Sequence, residues 1–292
     1  MNINLDLYRT FYYVGKLGSI TLAAKSLCVS QPAVSQAVKQ LESNIGVKLF
    51  KRNAKGMSMT IEGKQLFHYV SKGYETILEG EEQLKRMIGL EDGEIRIGAS
   101  DMTLQFYLLP YLEQFHELYP HIKVRVTNAP TPETLKLLEE QEIDFGIVTT
   151  PFTKKEWMEV HSVKTIENCF IAGNKFRYLQ SQTLEYQDIQ KLPLICLEKS
   201  TSTRKSMELF LAEKEIYLEP EFELATSEMI VQFVAKNLGI GMVVKNFALE
   251  EKEKGTIFEL QFREDMPKRD ICVVTNSKIP MSRAANKIRE ML

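Results

Sequence analysis

SITLAAKSLCVSQPAVSQAVKQLESNI occupies residues 19–45, and this stretch predicts two short helices joined by a tight turn. The second helix has one apolar face, whose members recur at helical spacing: Val34, Val38, Leu41 and Ile45. Ser30 is suited to cap its first turn, and Pro32 is tolerated there because the amide that proline lacks would be unpaired anyway. The stretch therefore predicts a helix-turn-helix.

The outward face of the second helix carries side chains that are uncharged or basic. Hydrogen-bonding side chains of this kind suit base edges and phosphates in a DNA major groove. The residues that we expect to contact DNA are Ser30, Gln31, Pro32, Ala33, Ser35, Gln36 and Lys39. A basic segment at 51–56 and the stretch 57–60 are typical of a β-hairpin wing, in which Arg52 and Lys55 would contact phosphates or the minor groove.

A long helix is predicted after the wing, over residues 61–92. Its apolar residues recur at alternating steps of three and four, with Glu81 at the position that breaks the pattern: Phe67, Val70, Tyr74, Ile77, Leu84 and Ile88. Such a pattern predicts a helix that pairs with a second copy of itself, setting two recognition helices about 34 Å or more apart on one DNA face. The alternative is an amphipathic helix that packs within its own chain.

Strand and helix patterns alternate after Gly93, and the total of 292 residues predicts more than one domain. The first predicted elements are strands at 94–100, 122–128 and 144–150 with helices at 103–118 and 132–141 between them. This alternation predicts an α/β fold with largely parallel sheets and helices on both faces. Such sheets bind ligands at the carboxyl ends of their strands, where the strand order reverses.

Charge is segregated along the chain, although the net formal charge is only −2. Residues 1–60 carry a net +6 and the remainder −8. This contrast indicates that only the first sixty residues bind a polyanion.

The four cysteines are far apart and lie among apolar neighbours, which favours reduced, buried thiols. A redox switch using Cys169 and Cys196 is the alternative. No secretion signal or membrane-spanning apolar run is present, so we expect a cytoplasmic protein without a membrane partner.

On these residues the chain resembles a LysR-type transcriptional regulator over essentially its full length. In the first part the matching residues are Phe11, Gly18-Ser19, Ala23-Ala24, Leu27, Val29 to Ser35, Leu41-Glu42, Gly46, Leu49-Phe50, Arg52, Thr60 and Gly63. The second part matches more loosely, through Ile95 to Gly98, Leu109-Pro110, Phe115, Tyr119-Pro120, Asp144 to Ile147 and Gly239 to Gly241.

The resemblance implies a winged helix-turn-helix over residues 1–60, a dimerising linker helix over 61–92 and an effector-binding domain over 93–292. The last would be a two-subdomain α/β domain shaped like a periplasmic binding protein. Its subdomain I would cover about 93–163 and 268–292, and its subdomain II about 164–267. The partners implied are double-stranded promoter DNA, a small-molecule effector, RNA polymerase and further copies of the chain, as homodimer or homotetramer. Gln36 stands where a basic residue is frequent in the family.

Polar clusters fall where this fold would place a ligand cleft. The residues that we expect to bind the effector are Ser100, Met102, Thr103, Asn128, Thr131, Thr149, Thr150, Ser202, Thr203 and Thr226. Hydroxyls beside the free amides of helix N-termini suit a carboxylate, sulfate or phosphate, so an anionic metabolite is predicted. The alternative is that these Ser and Thr residues are ordinary helix caps.

Two other classes of protein compete with a regulator. An enzyme is disfavoured because the four histidines show no metal-binding spacing and Gly239-Ile240-Gly241 is not a dinucleotide fingerprint. We therefore predict no catalytic residue, metal or cofactor. The alternative function is a cytoplasmic small-molecule-binding protein of solute-receptor type without promoter specificity, which promoter DNA or heparin would not retain at low salt.

Overall fold

The structure, a computed structural model, describes residues 4–53 and 56–292, and the side chains of all of these except 52, 53 and 56. The chain forms two compact units, Met1–Arg86 and Met87–Leu292. Within the described residues, no helix is long and apolar enough to cross a membrane.

The first unit consists of helices around a small apolar core, with a two-stranded hairpin. Its elements are α1 (Leu5–Leu17), α2 (Ile20–Leu27), α3 (Gln31–Ile45), β1 (Phe50–Asn53), β2 (Gly56–Met59) and α4 (Ile61–Ile88). α1 and α3 end at Gly18 and Gly46, whose φ angles of +61° and +85° suit glycine. β1 and β2 pair antiparallel, so the predicted helix-turn-helix and wing are confirmed.

The apolar face of α3 is buried as the sequence predicts. Val34, Val38 and Leu41 lie in the core of the unit, and Ile45 is half-buried against it. Phe11 of α1 is fully buried in the same core. The opposite face of α3 is consequently left to solvent.

The apolar pattern of α4 divides into two parts. Phe67 and Val70 pack against the core of the first unit, and the Tyr74 ring lies 4.7 Å from that of Tyr12. Ile77 and Leu84, by contrast, are 51% and 59% exposed. The pattern predicted pairing along the whole helix, but its first part packs within the chain because α1 supplies aromatic partners.

The second unit contains two five-stranded sheets and one small two-stranded sheet. Its strands are β3 (Gly93–Ala99), β4 (Ile122–Asn128), β5 (Phe145–Thr149), β6 (Met158–Ile166), β7 (Asn168–Gly173), β8 (Thr183–Leu184), β9 (Leu194–Leu197), β10 (Phe222–Leu224), β11 (Ile240–Val244), β12 (Ile257–Glu259), β13 (Gln261–Phe262) and β14 (Arg269–Asn276). The five-stranded sheets have the orders β4-β3-β5-β14-β6 and β10-β9-β11-β7-β12.

Helices connect these strands and cover the sheets. They are α5 (Asp101–Thr103), α6 (Leu109–Leu118), α7 (Thr131–Glu139), α8 (Ser202–Ala212), α9 (Ser227–Ala235), α10 (Lys245–Glu253) and α11 (Arg283–Arg289). A π-helical segment, Leu104–Leu108, joins α5 to α6 in one helical run. Buried apolar clusters lie on both faces of each five-stranded sheet.

The sheets are mixed, where the sequence pattern predicted largely parallel ones. β4, β3 and β5 are parallel, whereas β14 pairs antiparallel with both β5 and β6. The second sheet repeats this arrangement, because β7 runs antiparallel to β11 and β12. The reason is the course of the chain, which builds the first sheet, crosses to the second at Glu167, and returns as β14.

Gly63 provides a test of how α4 packs on the backbone immediately before β1. A Cβ atom there would lie 2.1 Å from the Leu49 carbonyl oxygen, whereas a Cβ at Gly73 on the same helix would meet nothing within 4 Å. We expect Gly63→Ala to lower the free energy of unfolding by about 2 kcal/mol, since backbone must shift. Gly73→Ala should raise it by about 0.5–1 kcal/mol, because alanine favours the helix. Urea denaturation followed by far-ultraviolet circular dichroism measures both, and equal effects would contradict the close contact.

Candidate nucleic-acid interface and ligand cavity

The start of α3 presents a polar surface to solvent. Ser30 is its N-cap, and the Ser30 hydroxyl accepts a hydrogen bond from the Ala33 amide at 3.4 Å. Ser35 is half-buried. The other residues predicted to contact DNA from this helix and its cap are exposed: Ser30, Gln31, Pro32, Ala33, Gln36 and Lys39. The geometry leaves their hydrogen-bonding groups accessible to a DNA groove.

Gln31 is held from the neighbouring helix. Its side-chain amide donates to the hydroxyl of Thr21 on α2. Because this bond uses the Nε2 group, the Gln31 carbonyl oxygen keeps its acceptor capacity. Thr21, the partner that orients Gln31, was not predicted from the sequence.

Glu42 connects α3 to the wing. The Glu42 carboxylate accepts hydrogen bonds from Lys48 Nζ at 2.7 Å, from the Leu49 amide at 2.9 Å and from the Phe50 amide at 3.2 Å. Burial raises the pKa of this carboxyl, but the three donors outweigh burial and hold the pKa below its ordinary value. The start of β1 is thereby fixed to α3. Of the predicted wing contacts, Lys55 and the Arg52 side chain lie outside the described part of the chain.

A cavity of about 310 Å³ lies between the two five-stranded sheets of the second unit. Eight of the ten predicted effector-binding residues line it: Ser100, Met102, Asn128, Thr131, Thr149, Ser202, Thr203 and Thr226. They come from the ends of β4 and β5 in the first sheet and from the starts of helices that follow strands of both sheets. The structure thus brings together residues that are more than 120 positions apart in the chain.

Thr103 and Thr150 were predicted to bind the effector but lie outside this lining. Thr103 is completely buried, and its hydroxyl lies 3.1 Å from the Ile147 carbonyl oxygen, which it helps to satisfy. Thr150 accepts a hydrogen bond from the Asp270 amide at 2.9 Å, so its hydroxyl links β14 to the end of β5. Both side chains join elements of the fold, which corrects the prediction for these two positions.

Three hydroxyl groups join the two sheets at the cavity wall. The Ser202 hydroxyl is hydrogen-bonded to that of Thr149 and lies 3.3 Å from that of Thr131. Thr131 also accepts from the Thr149 amide at 3.3 Å. Ser202 begins α8, which follows β9 of the second sheet, whereas Thr149 ends β5 of the first sheet and Thr131 begins α7 after β4. This cluster therefore ties both sides of the cavity together.

Helix N-termini surround the cavity. α8 and α9 are capped by Thr201 and Thr226, which accept from backbone amides of their own first turns. Ser100 caps the helical run of α5 in the same way, and α7 begins at Thr131. The predicted Ser and Thr residues therefore include genuine caps, yet the caps themselves line one cavity. Four helices direct the positive ends of their dipoles towards it.

Several lining residues were missed by the sequence analysis. They include the carboxylates Asp101 and Glu198, and Phe247 from α10. Asp101 accepts a hydrogen bond from the Asn128 side chain, and Glu198 is exposed. Asp101 lies between the predicted Ser100 and Met102, and its carboxylate counts against an anionic ligand; Glu198 lies two positions before the polar stretch at 200–204. Phe247 carried no signal, because α10 was not predicted.

The cysteines do not form a redox pair. Cys169 is on β7 and Cys196 on β9, and β11 lies between these strands. Burial raises the pKa of each thiol to about 12, which keeps both protonated and unreactive. Among the described residues, no group of three His, Cys, Asp or Glu side chains could hold a metal ion.

A helix-turn-helix unit and a separate α/β unit with a polar cavity define the class of DNA-binding regulators that carry a ligand-binding domain. A family model for the LysR substrate binding domain matches residues 89–292, and one for the bacterial regulatory helix-turn-helix protein of the lysR family matches residues 5–64. The chain belongs to the LysR family of transcriptional regulators. It is therefore a DNA-binding regulator with an effector-binding domain.

Individual relatives agree with this assignment. The RuBisCO operon transcriptional regulator of Allochromatium vinosum is 25% identical over 294 residues, covering 100% of this chain and 96% of its own length. A full-length OxyR variant from Pseudomonas aeruginosa has a similar fold, with a TM-score of 0.73, 19% identity and 99% of each chain covered. CbnR in complex with its target DNA matches with a TM-score of 0.62 and 16% identity, over 99% of this chain and 98% of that chain.

The role of Glu42 can be tested through its charge. We expect Glu42→Gln to lower the free energy of unfolding by about 1–2 kcal/mol at neutral pH, because charge-assisted bonds to two buried amides are weakened. The folded pKa lies below the ordinary 4.5, so the stabilisation is complete above that value and is lost as the pH falls through the folded pKa.

Urea denaturation at a series of pH values measures this difference. Glu62→Gln, at an exposed carboxylate in the first turn of α4, is the matched control and should change stability by less than about 0.5 kcal/mol. A Glu42→Gln effect that stayed constant through acidic pH would show that the ionised carboxylate is not what fixes the wing.

Proposed function

We propose that this regulator binds duplex promoter DNA as a homodimer or homotetramer and that a small anionic metabolite in the cavity modulates the binding. The observation that carries the effector part is the convergence of four helix N-termini and their hydroxyl groups on one cavity. Its place of action would be the cytoplasm, where promoter DNA and RNA polymerase are found. No catalytic reaction is proposed.

The DNA-binding part rests on the exposed face of α3. Gln36 and Lys39 are exposed one turn apart, while Val38 between them points into the core. A helix of this kind reads base edges with its amides and contacts phosphates with its lysine. The net charge of +6 in residues 1–60 supports attraction to DNA.

Self-association is supported by the second part of α4. Ile77 and Leu84 are seven residues apart, which places them on one stripe of the helix, and both are more than half exposed. Such a stripe suits the equivalent stripe of a second copy.

The anionic character of the effector follows from the donors at the cavity. The backbone amides of Ser202 and Thr203, in the first turn of α8, donate to no acceptor within the described parts of the chain. Free amides at a helix N-terminus bind anions through hydrogen bonds and the helix dipole. The volume of about 310 Å³ is at the lower end for ligand pockets, which favours a small metabolite.

Variants of α3 separate base recognition from phosphate contact. We expect Gln36→Ala to reduce discrimination at one base pair by about 1–3 kcal/mol, since a bidentate contact is lost. Lys39→Ala should weaken binding to all sequences and reduce the salt slope by about one unit.

Fluorescence anisotropy with single-base-pair operator variants at several salt concentrations measures both effects. Gln65→Ala, at an exposed glutamine of α4, is the control and should leave specificity unchanged. Full discrimination by Gln36→Ala would show that Gln36 does not read a base.

The effector site is tested by DNA binding of the full-length protein in the presence of sulfate, inorganic phosphate and short mono- and dicarboxylates. We expect at least one of these anions to change wild-type DNA affinity. Ser100→Ala and Thr203→Ala should lose that response while they retain DNA binding, because each removes a hydroxyl from the cavity. Ser282→Ala removes the N-cap hydroxyl of α11, outside the cavity, and is the control. Undiminished anion affinity in both cavity variants would refute the site.

A further inference from the structure

Arg269 is a buried cation directly behind the cavity wall. It begins β14, and only 3% of its surface is exposed. Its Nη1 donates to the Thr150 carbonyl oxygen at 3.2 Å. Its Nη2 donates to Asn168 Oδ1 at 3.1 Å and to Thr203 Oγ1 at 2.9 Å. The guanidinium therefore bonds to elements of both five-stranded sheets and touches a residue that lines the cavity.

No carboxylate within the described ranges compensates the charge of Arg269. Its three acceptors are neutral, and its Nε–H has no hydrogen-bond partner. Burial lowers the pKa of Arg269 to about 10, so the group is still charged at neutral pH. A buried charge without a counter-charge is costly unless a partner is supplied from elsewhere.

Arg204, the second residue after Ser202, is also a buried arginine, but its charge is compensated by carboxylates, as is usual for buried charges. It is even more buried, with 1% exposed, but its guanidinium forms ion pairs with Glu208 at 2.8 Å and Glu223 at 3.2 Å. The two arginines are thus matched in burial and differ in compensation. The Arg204 side chain contacts the cavity lining only at a backbone atom, the Leu197 carbonyl oxygen, whereas Arg269, the uncompensated one, donates to the side-chain hydroxyl of the lining residue Thr203.

Thr203 lies between Arg269 and the cavity, because its hydroxyl bonds to the guanidinium and its side chain lines the cavity. The Thr203 oxygen accepts from Arg269, and within the described residues its own hydroxyl hydrogen has no acceptor. Because the lone pair is fixed by the guanidinium, the hydrogen is free to be donated into the cavity that Thr203 lines. The amides of Ser202 and Thr203 add two further free donors at the same place.

We propose that Arg269 is the positioning residue that selects an acidic group at the N-terminus of α8, acting through Thr203. This inference rests on the proposed effector site and deepens it. A carboxylate, sulfate or phosphate seated on the Ser202 and Thr203 donors supplies the counter-charge that Arg269 lacks. A neutral ligand of the same shape leaves that charge uncompensated and binds more weakly.

The test measures affinities of the full-length protein for sulfate, inorganic phosphate and short carboxylates by isothermal titration calorimetry at constant ionic strength. We expect Arg269→Gln to weaken anion binding by about tenfold or more, because a charge-assisted donor chain is removed. Thr203→Val keeps the side-chain shape and leaves Arg269 in place, and it should show a similar loss. Arg204→Gln removes the compensated arginine and should leave anion affinity unchanged.

Arg269→Lys distinguishes a positioning role from a merely structural one. A lysine retains a cation in the same desolvated place, so anion binding should be recovered at low pH. Burial can bring the pKa of a lysine down to near neutral pH, whereas a buried arginine stays charged. Anion affinity in this variant should therefore fall as the pH is raised from about 6 to about 9. This comparison uses sulfate and the short carboxylates, whose own charge does not change over that range, and wild-type affinity for them should stay nearly constant.

The possible results separate this inference from the proposed function. If the wild-type protein binds an anion, Ser100→Ala weakens it and Arg269→Gln does not, the cavity stands and the role of Arg269 is overturned. An equal loss in Arg269→Gln and Arg204→Gln, or a pH-independent Arg269→Lys, would also overturn it, because stability would then explain the effect. If the wild-type protein binds none of the anions, the anionic-effector function itself is wrong and the inference falls with it.

Discussion

Backbone N–H groups that lack acceptors in the first turn of each helix shape both functional surfaces of this chain. Ser30 satisfies one such group at the start of α3, and Thr201 does the same for α8. A cap satisfies the amide three positions into the helix but leaves the first two amides free. In α8 those free amides belong to Ser202 and Thr203, at the cavity. One local rule therefore applies at the start of α3 and also leaves, at the start of α8, the free donors on which the proposed anion site rests.

Caps and apolar faces could be predicted from sequence because they depend on neighbours within a few positions. Ser30, Gly46 and the buried face of α3 are examples. β6 was not predicted, because it is an edge strand whose residues are mostly exposed and polar. The direction of β14 could not be predicted either, since it depends on where the chain returns after building the second sheet. Eight of the ten predicted effector-binding residues line the cavity, because strand ends and helix starts meet there by topology.

The helix α4 shows what periodicity leaves open. The spacing of its apolar residues correctly predicts an apolar stripe, but it does not predict which surface packs against that stripe. Phe67 and Tyr74 find partners on α1, while Ile77 and Leu84 do not find one within the first unit. Which surface covers the stripe depends on how the elements pack in three dimensions, and the spacing of apolar residues along one helix carries no information about that packing. The role proposed for Arg269 could not be predicted from the sequence for a related reason. It depends on the lack of a carboxylate partner for Arg269 among the described residues, which only the packed structure shows.

The carboxylates Asp101 and Glu198 line the same cavity and oppose an anion, so their effect must be weighed against that of Arg269. Glu198 is exposed and Asp101 is half-buried, whereas Arg269 is 3% exposed. Two unit charges about 4 Å apart interact by about 1 kcal/mol in bulk water but by about 4 kcal/mol at the effective dielectric constant of a protein. Salt screens the exposed carboxylates further, while a buried guanidinium is screened much less. Burial therefore decides the balance in the proposed site, and an acidic group would be stabilised on the side of the cavity at α8, where Arg269 and the free amides coincide.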